Sequence, residues 1–312
     1  MWRPGNDTFR DRRVPSFGNV AVDPNIKPMQ TQLLSTGVEF QVGSQAVIRA
    51  SYVRNDLIRT MEDLGVIIDG DEHYIQANPG EGAALTTTPS GATPGPIPYP
   101  KPKRTYDAME LTYSKRFSGG YFANFSYVYS RLYGNYAGLA STDEITSPAT
   151  GLLSTAAQGT SAAARQGANA NRNWDLDETL FDSHGNLDVR GRLATDRPHV
   201  FKLYGSKTLK INNNNSTEFG LFFYGGSGTP LSTYVVTTNQ IPMFVDGRGS
   251  MGRTPFLTKT DLLISHEVSV GEGKKLRFEM NMDNLFNQKT ARSRFNYLNR
   301  GAGAAEGGSA IN

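Results

Sequence analysis

A glycine-rich loop in the last quarter of the chain has the residue types and spacing closest to a chemical site. Gly247-Arg248-Gly249-Ser250-Met251-Gly252 matches the spacing of a dinucleotide-binding fingerprint. That fingerprint binds pyrophosphate where a helix begins at the loop and turns its amides toward the ligand. Here Arg253-Thr254-Pro255 and a strand pattern follow instead, so the sequence disfavours a phosphate site.

An acidic segment is the second candidate, because carboxylate oxygens suit calcium. Residues 135–196 are predicted to form one loop, whose aspartates include Asp175, Asp177, Asp182 and Asp188. The twelve-residue calcium pattern fails here, since the glycine is misplaced and no glutamate closes it. We therefore expect a solvated loop, and a calcium site is the alternative interpretation.

Nucleophilic and histidine chemistry find little support in the sequence. The chain has no cysteine, which excludes disulfides, thiolate metal sites and a cysteine nucleophile. None of the four histidines has a second metal ligand at a fixed spacing. These histidines are His73, His184, His199 and His266. We predict that the protein is not an enzyme and that it uses no cofactor and no metal.

Charge and hydropathy exclude two further classes of protein. The net charge of +3 comes from 32 basic and 29 acidic residues spread along the chain, which argues against an electrostatic nucleic-acid binder. A mean hydropathy of -0.45, with no apolar run near the length of a membrane helix, excludes a helical membrane protein. Transmembrane barrels remain open, because their alternating strands average to a polar composition.

Alternation of apolar and polar residues predicts about eight strands in four hairpins. The clearest strand is 274–283, with Leu276, Phe278, Met280 and Met282 in one phase and Arg277, Glu279, Asn281 and Asp283 in the other. Similar patterns cover residues 32–42, 46–57, 103–117, 121–129, 198–209, 219–223 and 256–270. Most of these segments reach the roughly 9–11 residues with which a tilted strand crosses a bilayer.

Short turns alternate with long connections at residues 58–102, 135–196 and 232–253. This asymmetry is typical of outer-membrane barrels, which have short periplasmic turns and long extracellular loops. A soluble antiparallel sandwich also alternates its faces, and it is the alternative. The aromatic residues between Tyr121 and Tyr136 resemble an interfacial girdle and favour the barrel.

The position of the ends predicts a slice of a larger barrel. If the short turns are periplasmic, the first strand begins and the last strand ends outside the cell, whereas single-chain barrels usually start and finish in the periplasm. Charged residues between Arg3 and Arg13 leave no room for a secretory h-region. We expect residues 1–31 to be an extracellular lead-in, 32–287 a barrel segment and 288–312 a glycine-rich extracellular tail.

Nine short motifs, in their order and spacing, resemble the barrel of Oar-like TonB-dependent transporters, and they cover residues 22–288. The motifs are Val22-Asp23-Pro24-Asn25-Ile26-Lys27-Pro28, Arg104-Thr105-Tyr106-Asp107-Ala108, Lys115-Arg116-Phe117-Ser118, Tyr129-Ser130-Arg131, Gly134-Asn135-Tyr136, Asp196-Arg197-Pro198-His199, Ser227-Gly228-Thr229-Pro230, Arg253-Thr254-Pro255 and Asp283-Asn284-Leu285-Phe286-Asn287.

The resemblance implies the C-terminal part of an all-β, antiparallel, up-and-down transmembrane barrel of about 22 strands whose lumen holds a plug. It also implies a place in the bacterial outer membrane, contact with its lipid and, through a parent chain, with the plug and the TonB complex. The family's plug and TonB-contacting box are not found before residue 22, nor is a final strand found after Asn287. We therefore expect part of a receptor that takes up a substrate. A barrel anchor for surface adhesion or secretion, and a soluble carbohydrate-binding sandwich, are the alternatives.

Two groups of side chains are candidates for function in such a barrel. The first shares the polar phase of its strands and would face the lumen or the plug: Arg49, Glu110, Arg116, Arg277, Glu279 and Asp283. These residues would keep the interior hydrated and dock the plug, with substrate selectivity as a second interpretation. The other group, Tyr99, Tyr234 and Phe244, lies in predicted loops and would contact a ligand or pack the loops.

Overall fold

Antiparallel strands make up most of the computed structural model, which describes residues 21–68, 71–85, 99–136, 182–184, 186, 188–236, 242–271, 273–291 and 298. The strands in these residues are β1 Ala21–Val22, β2 Gln30–Val42, β3 Ala46–Arg59, β4 Glu62–Ile68, β5 Asp71–Ala77, β6 Arg104–Ser118, β7 Tyr121–Gly134, β8 Gly191–Arg192, β9 His199–Lys210, β10 Asn215–Gly226, β11 Tyr234–Val236, β12 Pro242–Phe244, β13 Leu257–Gly271 and β14 Lys274–Met282. A 3-10 helix spans Gly82–Leu85. No helix among these residues is long and apolar enough to cross a membrane.

Eight long strands form one sheet in the order β2-β3-β6-β7-β9-β10-β13-β14. Each long strand is antiparallel to its neighbours, which are also its neighbours in chain order. The four predicted hairpins and the up-and-down barrel topology are therefore confirmed. The alternative of a sandwich is wrong, because the eight strands lie in a single layer and not in two packed sheets.

The turns at one end of the sheet are short because their residues tolerate tight backbone geometry. Gly119 and Gly120 both have positive φ, at 61° and 79°, which glycine adopts without steric cost. At the tip between β9 and β10, Asn212 accepts a hydrogen bond of 2.9 Å from the Asn214 amide. The long connections all emerge at the opposite end of the sheet.

The pairing register places the apolar phase of every long strand on one side of the sheet, which we call the apolar face. One row of directly opposed residues on this side runs through Phe40, Ile48, Tyr113, Phe125, Leu203 and Phe223. Several large apolar side chains of this face are largely exposed: Phe40 is 61%, Met109 63% and Phe278 63% exposed. A soluble protein would bury such a surface, so this exposure fits a sheet that meets lipid.

The buried core lies among the long connections and not under the sheet. A parallel pair of β1 with β5 and an antiparallel pair of β5 with β4 make a small sheet, and β11 pairs with β12. Leu57, Leu64, Ala77, Ala84, Tyr99 and Tyr136 form one buried cluster there. The sequence pattern did not indicate the β4–β5 hairpin, which occupies part of the predicted linker 58–102. The low-complexity stretch 156–171, residues 1–20 and most of 292–312 lie outside the described residues.

Candidate functional site

The side of the sheet opposite the apolar face, which we call the polar face, carries the predicted charged side chains. Arg49 lies opposite Thr112 and Glu110 opposite Ser51, which puts these two charges on the same side of neighbouring strands. On β14, Arg277 is opposite Glu267 and Glu279 is opposite Ser265. Arg116 and Asp283 lie at strand ends, near a short turn and just after β14. The register therefore places Arg49, Glu110, Arg277 and Glu279 on one face, while it separates the first two from those on β14.

Ion pairs join the charges at the β14 side of the polar face. The Arg277 guanidinium lies 3.6 Å from the Glu218 carboxylate on β10 and 3.3 Å from that of Glu279. Lys275 and Glu267 pair at 2.7 Å. All these side chains are between 28% and 59% exposed, so water screens the pairs and each contributes little to stability. What the pairs do provide is a hydrated surface of nearly balanced charge.

A concavity of about 310 Å³ on the polar face lies beside this charged network. Its lining includes Phe122, Tyr204, Glu218, Asn281 and the predicted residue Asp283. The rings of Phe122 and Tyr204 meet edge to face with centroids 6.4 Å apart. Aromatic rings beside carboxylates and an amide can contact a polar solute through both stacking and hydrogen bonds.

The three predicted loop aromatics are buried within the protein. Tyr99 and Tyr234 are 1% exposed and Phe244 is fully buried. The rings of Tyr234 and Phe244 lie 5.0 Å apart, across the β11–β12 pair, while Tyr99 belongs to the cluster around Leu64. Their surfaces contact other loop residues in this structure, so packing of the loops accounts for them and a ligand would reach them only if the loops opened.

Asp196 organises a junction between two long connections that sequence reasoning did not single out. Its side chain has no solvent exposure, accepts a 2.5 Å hydrogen bond from the Leu132 amide and forms an ion pair with Arg253. Arg253 also donates to the carbonyls of Asp196 and Gly228, at 2.9 and 3.1 Å. Arg192 lies farther away, 3.5 Å from the same carboxylate. Both partners belong to motifs quoted above, but nothing in their spacing indicated that the two motifs meet.

Arg248, from the glycine-rich loop, ties the same two connections together. Its side chain donates to the carbonyl of Val189 at 2.7 Å and to that of Asn135 at 2.9 Å. The guanidinium also stacks 4.6 Å from the centre of the Phe244 ring. The loop then leads into β13 and not into a helix, so it lacks the arrangement that a pyrophosphate site needs. Its arginine instead joins packed residues of the long connections. We call the described residues of the three connections β3–β6, β7–β9 and β10–β13 the cap.

An acidic side chain holds a third part of the cap. Glu81 pairs with Arg59 at 2.9 Å and with Lys101 at 3.2 Å, and Lys27 lies 3.9 Å away. Burial raises the pKa of Glu81, but the hydrogen bonds from Arg59 and Lys101 outweigh it, so its pKa is below the ordinary value. This carboxylate therefore stays charged and paired at neutral pH.

The acidic segment makes its hydrogen bonds locally. Asp182 accepts from the amides of His184 and Asn186 at 2.9 and 2.8 Å, and from the Asn186 side chain at 2.7 Å. Burial raises the pKa of Asp182, yet these hydrogen bonds lower it to a net value below the ordinary one. Asp175 and Asp177 lie outside the described residues. Where the structure describes the chain, no three His, Cys, Asp or Glu side chains cluster as metal ligands would.

Two histidines on the long strands, His199 and His266, serve as hydrogen-bond partners between strands. The Nδ1 of His199 is 2.9 Å from the Tyr127 hydroxyl, and the Nδ1 of His266 is 2.9 Å from the Thr217 hydroxyl. The rings of His199 and Tyr127 also stack, with centroids 6.1 Å apart. Each is an aromatic or polar contact between paired strands, which accounts for the residue without a catalytic role.

Comparison with known proteins agrees with this architecture. A family model described as "Outer membrane beta barrel domain" matches residues 6–302. The TonB-dependent transporter Oar of Myxococcus xanthus is 30% identical over 274 residues, which are 87% of this chain and 22% of that protein. The chain thus spans about a fifth of the length of this curated relative. No solved structure matches it. The predicted Oar-like resemblance is confirmed, and the chain belongs to the outer membrane β-barrel domain family, whose place is the bacterial outer membrane.

Proposed function

We propose that this chain forms part of the barrel wall of an outer-membrane transporter, and that its role is transport and not catalysis. The apolar face lies against lipid, and the polar face lines the lumen through which a substrate enters. The observation that carries this proposal is the register. Across the middle of eight strands it keeps one face apolar and exposed, while charges such as Arg49, Glu110 and Glu279 lie on the other face.

Basic and aromatic contacts on the apolar face support the same orientation. Near the short turns, the Nζ of Lys115 lies 3.7 Å and that of Lys207 5.1 Å from the centre of the Tyr121 ring. Near the long connections, the Arg131 guanidinium lies 4.5 Å from the centre of the Tyr133 ring. Tyrosine and long cationic side chains prefer the two interfaces of a membrane, because each has an apolar body and a polar tip. The apolar band of the face lies between these two groups of contacts.

The edges of the sheet support assembly with further strands. Within the described part of the chain, β2 pairs only with β3 and β14 pairs only with β13. A backbone edge in lipid leaves amides and carbonyls without partners, which costs several kcal/mol per group. We infer that other strands of a larger barrel cover both edges. In such a whole protein, the mixed charges of the polar face would meet a plug, and a TonB complex would supply the energy for uptake.

The absence of cysteine makes the orientation directly testable. Single cysteines at Met280 and Asn281, and at Phe125 and Ser126, sample neighbouring positions on opposite faces of two strands. Each is labelled with a nitroxide in outer membranes, and its collision rates with oxygen and with a water-soluble nickel complex are compared. We expect oxygen to dominate at Met280 and Phe125, and the nickel complex to dominate at Asn281 and Ser126. Similar ratios within each pair would refute the proposal.

A further inference from the structure

A second concavity of the polar face, of about 460 Å³, lies where the strands reach the cap. The strand residues that line it share the polar phase of β3, β6, β7 and β9. Asn55, Arg104, Tyr106, Ser130, Arg197 and Val200 are part of this lining. Its volume is in the range that small-molecule sites occupy, roughly 300–1,000 Å³. The question is what chemistry this lining would select.

Arg104, one of the residues that line this concavity, has an unsatisfied donor. Its Nε is buried and has no hydrogen-bond partner, and no carboxylate of the described residues forms an ion pair with Arg104. A buried donor of a charged group that is left unpaired destabilises the protein, because nothing replaces the hydrogen bond that it makes with water in the unfolded chain. By contrast, Arg253 and Arg248, which lie in the cap, both donate to carbonyl oxygens. An acceptor in the concavity would satisfy this donor once a small rotation of the Arg104 side chain turned its Nε toward the ligand.

The charges around the concavity favour the binding of an anion. Asp196 is the acidic residue of the lining, and Arg253, Arg192 and the Leu132 amide already use its oxygens. Arg197 donates to the Ser227 carbonyl, a neutral acceptor, at 2.6 Å. The positive charges of Arg104 and Arg197 are therefore not balanced by a carboxylate of their own within the described residues.

The remaining walls limit the shape of that anion. Val128, Leu132 and Val200 supply an apolar side, and the Ser130 hydroxyl is committed to the Arg197 carbonyl at 2.9 Å. A guanidinium presents Nε and Nη as two parallel donors, which match the two oxygens of a carboxylate. The ligand that satisfies both features has a carboxylate at one end and an apolar body at the other.

We propose that this concavity binds the carboxylate of a small, partly apolar organic acid, with the Nε of Arg104 as the principal donor. The role of such a site in uptake rests on the proposed function, because it requires the polar face to line the lumen. The site itself would sit just below the cap, where an entering solute first meets the barrel wall.

The test measures the nuclear magnetic resonance signal of the unpaired Nε of Arg104. The full chain is recovered from outer membranes in detergent with 15N-labelled arginine, and hexanoate is the probe. We expect one Nε–Hε resonance to shift and saturate on titration, and this resonance to be missing in Arg104→Lys. Hexanamide, which has the same body without the charge, should leave it in place. Arg104→Lys should weaken hexanoate binding by at least tenfold, since lysine lacks the paired donors.

Arg131→Lys is the matched control, because Arg131 lies on the neighbouring strand but on the apolar face, and it should bind hexanoate as the parent does. Should Arg104→Lys fail to fold, Val200→Phe narrows the concavity with Arg104 intact and should also abolish binding. Unchanged affinity in both variants, or equal binding of hexanamide, would overturn the proposal. If hexanoate binding fails in this way while the nitroxide collision rates follow the expected pattern, the acid site is refuted. The proposed orientation of the barrel wall then still stands.

Discussion

An arginine placed on the apolar face should destabilise the chain far more than the same arginine one residue away. Met280 is 50% exposed on the apolar face, in a row with Ile264 and Phe219, whereas the side chain of Asn281 points to the polar face. Arginine in lipid near the bilayer midplane costs about 2–4 kcal/mol, and less toward the interfaces. At about 1.4 kcal/mol per tenfold change, Met280→Arg should lower the folding equilibrium constant by roughly 30- to 700-fold.

Asn281→Arg should change stability by about 0.5 kcal/mol or less, because its charge stays hydrated and Glu279 lies nearby. Both variants are unfolded with urea in lipid vesicles, and the loss of strand signal by circular dichroism gives the free energy of unfolding. The two positions differ by one residue along β14, so depth in the membrane cannot explain a large difference. Equal costs, or a larger cost at Asn281, would refute the assignment of faces.

Three further predictions concern the cap. Arg248→Met leaves two backbone carbonyls without their donor, so the cap should lose about 2–4 kcal/mol and show faster amide hydrogen exchange, while exchange in the long strands stays unchanged. Gly228→Ala would press a methyl group against the Thr254 backbone, and we expect about 1–3 kcal/mol of destabilisation, measured by urea unfolding. Because the folded pKa of Glu81 is lowered, its stabilisation is complete above the ordinary value of 4.5 and is lost as pH falls through the folded pKa; Glu81→Gln should remove this acid dependence of cap protease resistance.

The long strands could be predicted from the sequence because the side chains of each strand alternate between an apolar face and a polar face. The alternation predicted a strand over 32–42, and β2 spans Gln30–Val42; it predicted 274–283, and β14 spans Lys274–Met282. A period of two needs only local residues to be recognised. The same local pattern assigned Arg277 and Glu279 to one side, as the register has them.

The cap could not be predicted in this way, because its contacts join segments far apart in the chain. The carboxylate of Asp196 meets Arg253 across 57 residues, and the Asn135 carbonyl meets Arg248 across 113. Proline- and glycine-rich composition indicated loops, but it carries no information on which loops pack together. The sequence therefore left open whether Tyr234 and Phe244 contact a ligand or pack the loops, whereas the structure buries both.

The strictly consecutive strand order has a consequence for biogenesis. Each long strand pairs with the long strand that precedes it in the chain, so hairpins can be added one after another. Few contacts between distant parts of the chain are needed at each step. The Asp196–Arg253 bond cannot close until β9 and β10 have been laid down between its partners. This ion pair thus forms late in assembly, and it joins the two long connections only after the strands between them have been added.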